Sequence, residues 1–232
     1  VAWCFKANGG TTSSNTDGSI TSTVQANTQA GFSIVKYTGN NTGSNQTIGH
    51  GLGTTPEMII LKALDRSSDW AVIAPNAGVG PGDYAQLNSS SAPSGSGSIF
   101  GYPTDTGVSP TSTVFTVGGS NDSNATGEDY IAYCLANVDN FSKIGSYTGN
   151  GSDNGPIVET DFEPSFIMFK RTDGTSGWNI QDNRRNTTNP RTSVMQAHND
   201  DQEYTSSSYA VDFLSNGFQI VNSDNGWNTN GG

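Results

Sequence analysis

Apolar residues in this chain fall into strand-length groups separated by turn residues, and no segment carries a helical period of useful length. Phe32, Ile34 and Lys36 alternate with Ser33, Val35 and Tyr37 and then meet a Thr-Gly-Asn turn. Met58 to Leu61 is a continuous apolar run entered through Pro56, and Trp70 to Ala74 follows a turn at Arg66 to Asp69, which predicts a hairpin. Thr113–Val117 and Tyr130–Ala136 are further strong strands, with weaker ones at Gln46–Ile48, Tyr84–Leu87 and Ile99–Tyr102. Beyond residue 138 the strand-like groups are Ile157–Thr160, Phe166–Arg171, Trp178–Gln181, Ser193–Gln196, Tyr209–Leu214 and Phe218–Val221.

The order of these groups repeats. PEMIILKALDRSSDW, Pro56 to Trp70, returns as PSFIMFKRTDGTSGW, Pro164 to Trp178. Pro, Ile, Lys, Asp, Ser and Trp are matched at an offset of 108 residues (Pro56 to Pro164). FSIVKYTGN at Phe32 is echoed by FSKIGSYTGN at Phe141. A repeat of about a hundred residues is the size of a domain. The pattern therefore predicts an all-β chain of two tandem antiparallel β-sandwich modules, residues 31–137 and 138–232. The Tyr130–Ala136 strand has a sequence counterpart only at residues 1–7, VAWCFKA. That places a closing strand of an upstream module at 1–7, a polar linker at 8–30 with room for one edge strand around Ile20 and Val24, and a second module without its closing strand. Residues 1–7 also have the form of a strand that completes a neighbouring unit by addition. Cys4 and Cys134 lie in matching contexts and are both expected as buried thiols.

Composition sharpens this picture. Charged residues make up 13% of the 232 residues, and Ser, Thr, Asn and Gly fill their place, which suits short strands and many turns. The net charge of −11 argues against a nucleic-acid partner, and no apolar run reaches the length of a membrane span.

Candidate chemistry is sparse. The two histidines, His50 and His198, sit in a Gly-rich turn and an acidic loop, and no G-x-S-x-G elbow accompanies them. Glu159, Asp161 and Glu163, and the pair Glu128 and Asp129, border strands, where solvated loops explain carboxylates. Asn121–Asn124 and Asn199–Glu203 offer oxygens without the spacing of a calcium loop. Sequons at Asn40, Asn45, Asn88, Asn121, Asn124, Asn140, Asn150 and Asn186 are close to the roughly six that such a composition produces by chance. No residue is nominated as catalytic, cofactor-binding or metal-ligating, and no cofactor is implied. The one nominated ligand contact is Trp227, in the polar segment SDNGWNTNGG, where a ring beside amides could stack on a sugar, the competing reading being packing against the missing closing strand; Tyr84, Tyr102 and Tyr204 also lie near loops. Trp70 and Trp178 match across the repeat and are read as core.

VAWCFKANGG, NTDGSITSTVQAN, GFSIVKYTGN, TIGHGLGTTPEMIILK, DYIAYCLANVDNFSKIGSYTGNGSDNGP and VDFLSNGFQI together resemble an uncharacterised β-rich repeat module of tail-fibre-like and other virion proteins in marine tailed bacteriophages. The resemblance covers nearly the whole chain. It implies a non-enzymatic structural or adhesive virion component that spaces or presents a host-binding surface. Its partners would be other copies of itself, a trimer by analogy, other virion proteins and a host-surface glycan. The alternatives are a carbohydrate-binding module of a phage or bacterial surface protein and a surface polysaccharide hydrolase.

Overall fold

The computed structural model describes residues 4–80, 82–95, 98–101 and 108–232. The chain is all-β, with several antiparallel sheets. It divides into two compact units: residues 1–85 with 94–145, and residues 86–93 with 146–232.

The first unit contains β1 (Ser13–Asn15), β2 (Ser22–Asn27), β3 (Phe32–Thr38), β4 (Gln46–Gly49), β5 (Met58–Ala63), β6 (Ala71–Ile73), β7 (Ala85–Gln86, its second residue falling to the other unit), β8 (Val114–Val117) and β9 (Asp129–Leu135). Seven of them form one sheet in the order β1-β2-β3-β9-β5-β6-β7, and β4 pairs β8 separately. The central strand, β9, is antiparallel to both β3 and β5. Its alternation explains that position. Tyr130, Ala132 and Cys134 are fully buried, and they share a core with Val35 and Tyr37 of β3, Ile59 and Leu61 of β5, Ile48 of β4 and Phe115 and Val117 of β8. Full burial of each large apolar side chain stabilises the fold by about 1.5–3 kcal/mol.

Residues 8–30, expected as a polar linker, are part of this sheet. They supply β1 and β2, and β2 pairs with β3 over its whole length. A strand forms there because Val24 is buried and the buried Ser22 hydroxyl donates to the Gly49 carbonyl, 2.7 Å away. The strand expected at residues 1–7 does not form over residues 4–7, and residues 1–3 lie outside the described residues. Cys4, expected to be buried, is exposed, and among the described residues no strand pairs with its segment; Cys134 is buried as expected. Ile99 and Phe100 enter the core from a bend instead of a strand, and Tyr102 lies outside the described residues.

The second unit contains β10 (Ile157–Glu159), β11 (Phe166–Phe169), β12 (Asn179–Asp182), β13 (Ser193–Gln196), β14 (Tyr204–Thr205), β15 (Val211–Leu214) and β16 (Gly217–Ile220). One sheet has the order β10-β16-β15 and the other β11-β12-β13-β14. Their core is Ile167, Phe169, Val194, Val211, Phe213, Phe218, Ile220 and Trp227. The echo of β3 after Phe141 is not a strand: residues 143–150 have no strand assignment. In the first unit that sequence lies between β2 and β9, and here, among the described residues, neither flanking strand is paired to it.

The hairpin repeats in register. Ile59 pairs Ile73 and Leu61 pairs Ala71; Ile167 pairs Gln181 and Phe169 pairs Asn179 at the same offset of 108 residues (Ile59 to Ile167). Lys62 Nζ donates to the Ser68 carbonyl and Lys170 Nζ to the Ser176 carbonyl, both at 2.9 Å. The lysine closes the loop that the hairpin leaves open, so the matched Lys and Ser of the sequence repeat have one mechanical role.

Candidate functional site

Trp227 enters its position through a turn. Gly226 N donates to Asp224 Oδ1 at 2.7 Å, and Asn228 N donates to the Asp224 carbonyl at 2.7 Å. The turn points the indole inward, 4.5 Å from the Phe169 ring and 5.2 Å from the Tyr209 ring between centroids. The residue is 4% exposed. A sugar needs an open ring face, so the nomination of Trp227 as a carbohydrate contact is corrected: its ring fills the core. Its Nε1 is buried without an acceptor.

What surrounds Trp227 is a clasp, and the same clasp exists in the first unit. Tyr147 Oη donates to the Trp227 carbonyl at 2.6 Å, and Tyr37 Oη donates to the Ser123 carbonyl at 2.6 Å. Asn150 N donates to Asn228 Oδ1 at 2.7 Å, and Asn40 N to Asn124 Oδ1 at 2.9 Å. Asn228 Nδ2 donates to the Asn222 carbonyl at 2.7 Å, and Asn124 Nδ2 to the Gly118 carbonyl at 3.0 Å. Gly231 N donates to the Gly149 carbonyl at 3.0 Å, and Gly127 N to the Gly39 carbonyl at 2.9 Å. Asn124 and Asn228 are both fully buried. Each amide side chain ties a Tyr-Thr-Gly-Asn segment to a polar turn through backbone N–H and carbonyl groups.

Local sequence explains the geometry. In the first unit Asn121–Asn124 is one helical turn, α1, capped by Ser120, whose hydroxyl accepts from Asp122 N at 3.1 Å. Glycine is required at positions 39 and 149 because a Cβ there would run into the carbonyls of Ala125 and Thr229 respectively. Burial holds both tyrosine hydroxyls protonated, raising Tyr37 well above the usual phenol range and Tyr147 likewise, so each remains a donor. The sequence reading found the repeated Tyr-Thr-Gly-Asn but missed its partners. The signal was present in the spacing of SNDSNATG and SDNGWNTNG, where the buried Asn precedes a Gly by three residues.

The other nominated residues are held in structural contacts. His50 is fully buried; its Nε2 lies 3.1 Å from the Thr111 carbonyl and its Nδ1 accepts from Leu52 N at 3.3 Å, and burial lowers its pKa. His198 Nδ1 accepts from Trp178 N at 3.3 Å, and its pKa is lowered by burial and then by the charge of Lys170. Lys170 is lowered to about 8 by burial and by Arg171, while its Nζ donates to three carbonyls, those of Arg171, Ser176 and Ser90. Glu159, Asp161 and Glu163 are exposed. Asp129 pairs with Lys36 at 2.7 Å, and hydrogen bonds from Lys36 and Thr38 hold its carboxyl low. Glu203 pairs with Arg185, and Asn199 bonds Asp201 and Gln196. Among the described residues no group of three or more His, Cys, Asp or Glu converges on a point. Tyr84 and Tyr204 are half-buried, and Tyr204 stands edge-on to Tyr209. Trp178 is core, with its Nε1 donating to the Gln86 carbonyl at 2.8 Å; Trp70 is half-buried and stacks on Tyr133.

Fold and contacts thus define an all-β protein whose recurrent residues hold its own strands together. The chain belongs to the family described as a domain of unknown function, DUF7483, whose profile matches residues 1–232. No curated protein and no solved structure matches it.

Proposed function

We propose that the chain is a structural or adhesive segment of a phage tail fibre or related virion appendage, built of two tandem copies of one β-sandwich module. One observation carries this reading: what recurs between the units is interior. Tyr37 and Tyr147, Asn124 and Asn228, and Lys62 and Lys170 hold equivalent backbone groups. Among the described residues, the ion pairs nearer the surface differ between the units. Lys36 binds Asp129 in the first unit, whereas the second unit has Arg171 on Asp173 and Arg185 on Asp182. A duplicated ligand site would keep surface chemistry; a duplicated spacer keeps its frame and lets its surface drift. The polar, acidic exterior suits packing beside other copies and other virion proteins without a large greasy patch. The activity is mechanical and adhesive, with no reaction assigned.

The test is a virion one. Antibodies raised against the chain are expected to label an appendage of the intact particle in electron micrographs and to slow adsorption to host cells. Labelling absent from intact particles, or turnover of a surface polysaccharide by the purified chain, would contradict the reading.

A further inference from the structure

Asparagine followed by glycine occurs six times, at Asn8, Asn150, Asn154, Asn216, Asn225 and Asn230. The pair is chemically labile, because the glycine nitrogen reaches the asparagine side-chain carbonyl with no side chain of its own in the way. The structure treats the six unequally. Gly151 N donates to the Asn228 carbonyl at 2.8 Å, Gly155 N to the Ile220 carbonyl at 3.0 Å and Gly231 N to the Gly149 carbonyl at 3.0 Å. Gly226 N donates to Asp224 Oδ1 at 2.7 Å. Gly217 is fixed in a sheet, paired to Leu214 on one side and Glu159 on the other.

Gly9 differs. Among the described residues its N–H meets no acceptor, the Asn8 amide nitrogen makes no hydrogen bond, and both residues are exposed. Asn8 Oδ1 accepts from Gly10 N at 2.6 Å. Two amides of β2 clamp the ends of this bend: Asn27 Nδ2 donates to the Lys6 carbonyl at 3.0 Å, and Gln25 Nε2 to the Gly10 carbonyl at 2.6 Å. A side-chain carbonyl, a donor on its oxygen and an unengaged glycine nitrogen thus share one solvent-open bend.

We infer that Asn8 is a self-modification site, at which the chain converts its own asparagine to isoaspartate and aspartate without an enzyme. Solvent hydroxide takes the Gly9 N–H proton, and the nitrogen attacks Asn8 Cγ. Negative charge gathers on Oδ1, where the Gly10 N–H stabilises it. The Cγ–Nδ2 bond breaks, and the amide nitrogen takes a proton from water and leaves as ammonia. Water then opens the succinimide ring. Cleavage at the main-chain carbonyl leaves isoaspartate, and cleavage at Cγ leaves aspartate. Either product adds a negative charge, and isoaspartate lengthens the backbone by one carbon between the two clamps. The site stands apart from the virion reading.

The test is peptide mapping by mass spectrometry of the full chain held in mildly alkaline buffer, with a second sample kept unfolded in guanidinium chloride. In the folded chain Asn8 is expected to convert about tenfold or more faster than each of the other five, because their glycines must first be released by local opening. In the unfolded chain that lead is expected to disappear. The product at residue 8 is expected to include isoaspartate, which only the ring route forms. The inference is overturned if another of the six converts as fast as Asn8 in the folded chain. It is equally overturned if the lead persists unchanged after unfolding, or if residue 8 yields aspartate alone.

Discussion

Set side by side, the two units share their inner bonds and differ in their closure. In the first, β9 lies between β3 and β5, and Ile59 and Leu61 are fully buried. In the second, the equivalent Ile167 and Phe169 each retain 8% exposure, and the counterpart of β3 is not a strand. Yet the Tyr–Asn clasp and the lysine-closed hairpin form in both, with donor–acceptor distances that agree within about 0.3 Å. The difference teaches that the hairpin is set locally by its lysine, and the clasp by two short segments, a Tyr-Thr-Gly-Asn and a polar turn, that meet from far apart in the chain, while the central strand sets how dry the core becomes.

That comparison can be broken most forcefully at Trp227. Its ring is core, so Trp227→Ala is expected to destabilise the second unit by about 3–5 kcal/mol in urea unfolding followed by circular dichroism. A sugar-stacking surface residue would change stability by less than about 0.5 kcal/mol. Next come the paired amides. Asn124→Ala and Asn228→Ala each leave a backbone N–H and a backbone carbonyl without their side-chain partner, and each is expected to cost about 1–3 kcal/mol, measured by the same unfolding. Unequal losses would mean that the two clasps are alike in shape but not in energy. Tyr37→Phe and Tyr147→Phe remove one bond each and are expected to cost about 1 kcal/mol apiece.

The smallest effect sharpens the contrast by pH. Burial lowers the pKa of His50 in the folded state below its unfolded value near 6.5. Below pH 6.5 the unfolded chain therefore binds a proton that the folded one resists, and stability falls as pH drops toward the folded pKa. Thermal melts of the first unit are expected to shift down by a few degrees between about pH 7 and about pH 5. His50→Asn is expected to flatten that dependence; an unchanged slope would mean that the imidazole is not held neutral.

Much of this fold was legible in the sequence, and the misses have physical causes. The Met58–Leu61 run, the Trp70–Ala74 partner and the Tyr130–Ala136 alternation became β5, β6 and β9 because apolar periodicity reports burial directly. β2 is faint in the sequence, no more than one edge strand within a linker, because its inward positions include Ser22, whose burial is balanced by a hydrogen bond that composition does not reveal. Cys4 was misjudged because likeness to Cys134 in sequence does not supply the flanking strands that bury Cys134. The polar neighbours of Trp227 fit a ligand contact as well as packing in the sequence, yet those neighbours make the turn that buries it. The clasp asparagines were hidden among so many Asn, Ser and Thr that only pairing to a distant segment singles them out.

The central claim is that one clasp holds both units, and native-state hydrogen exchange of the Asn40 and Asn150 amides tests it most directly. Each amide donates to a fully buried asparagine side chain. Both are expected to exchange only with cooperative opening of their own unit, and replacing Asn124 or Asn228 by alanine should release one amide without the other. Exchange of either amide at the rate of an unprotected loop in the intact protein would contradict the account.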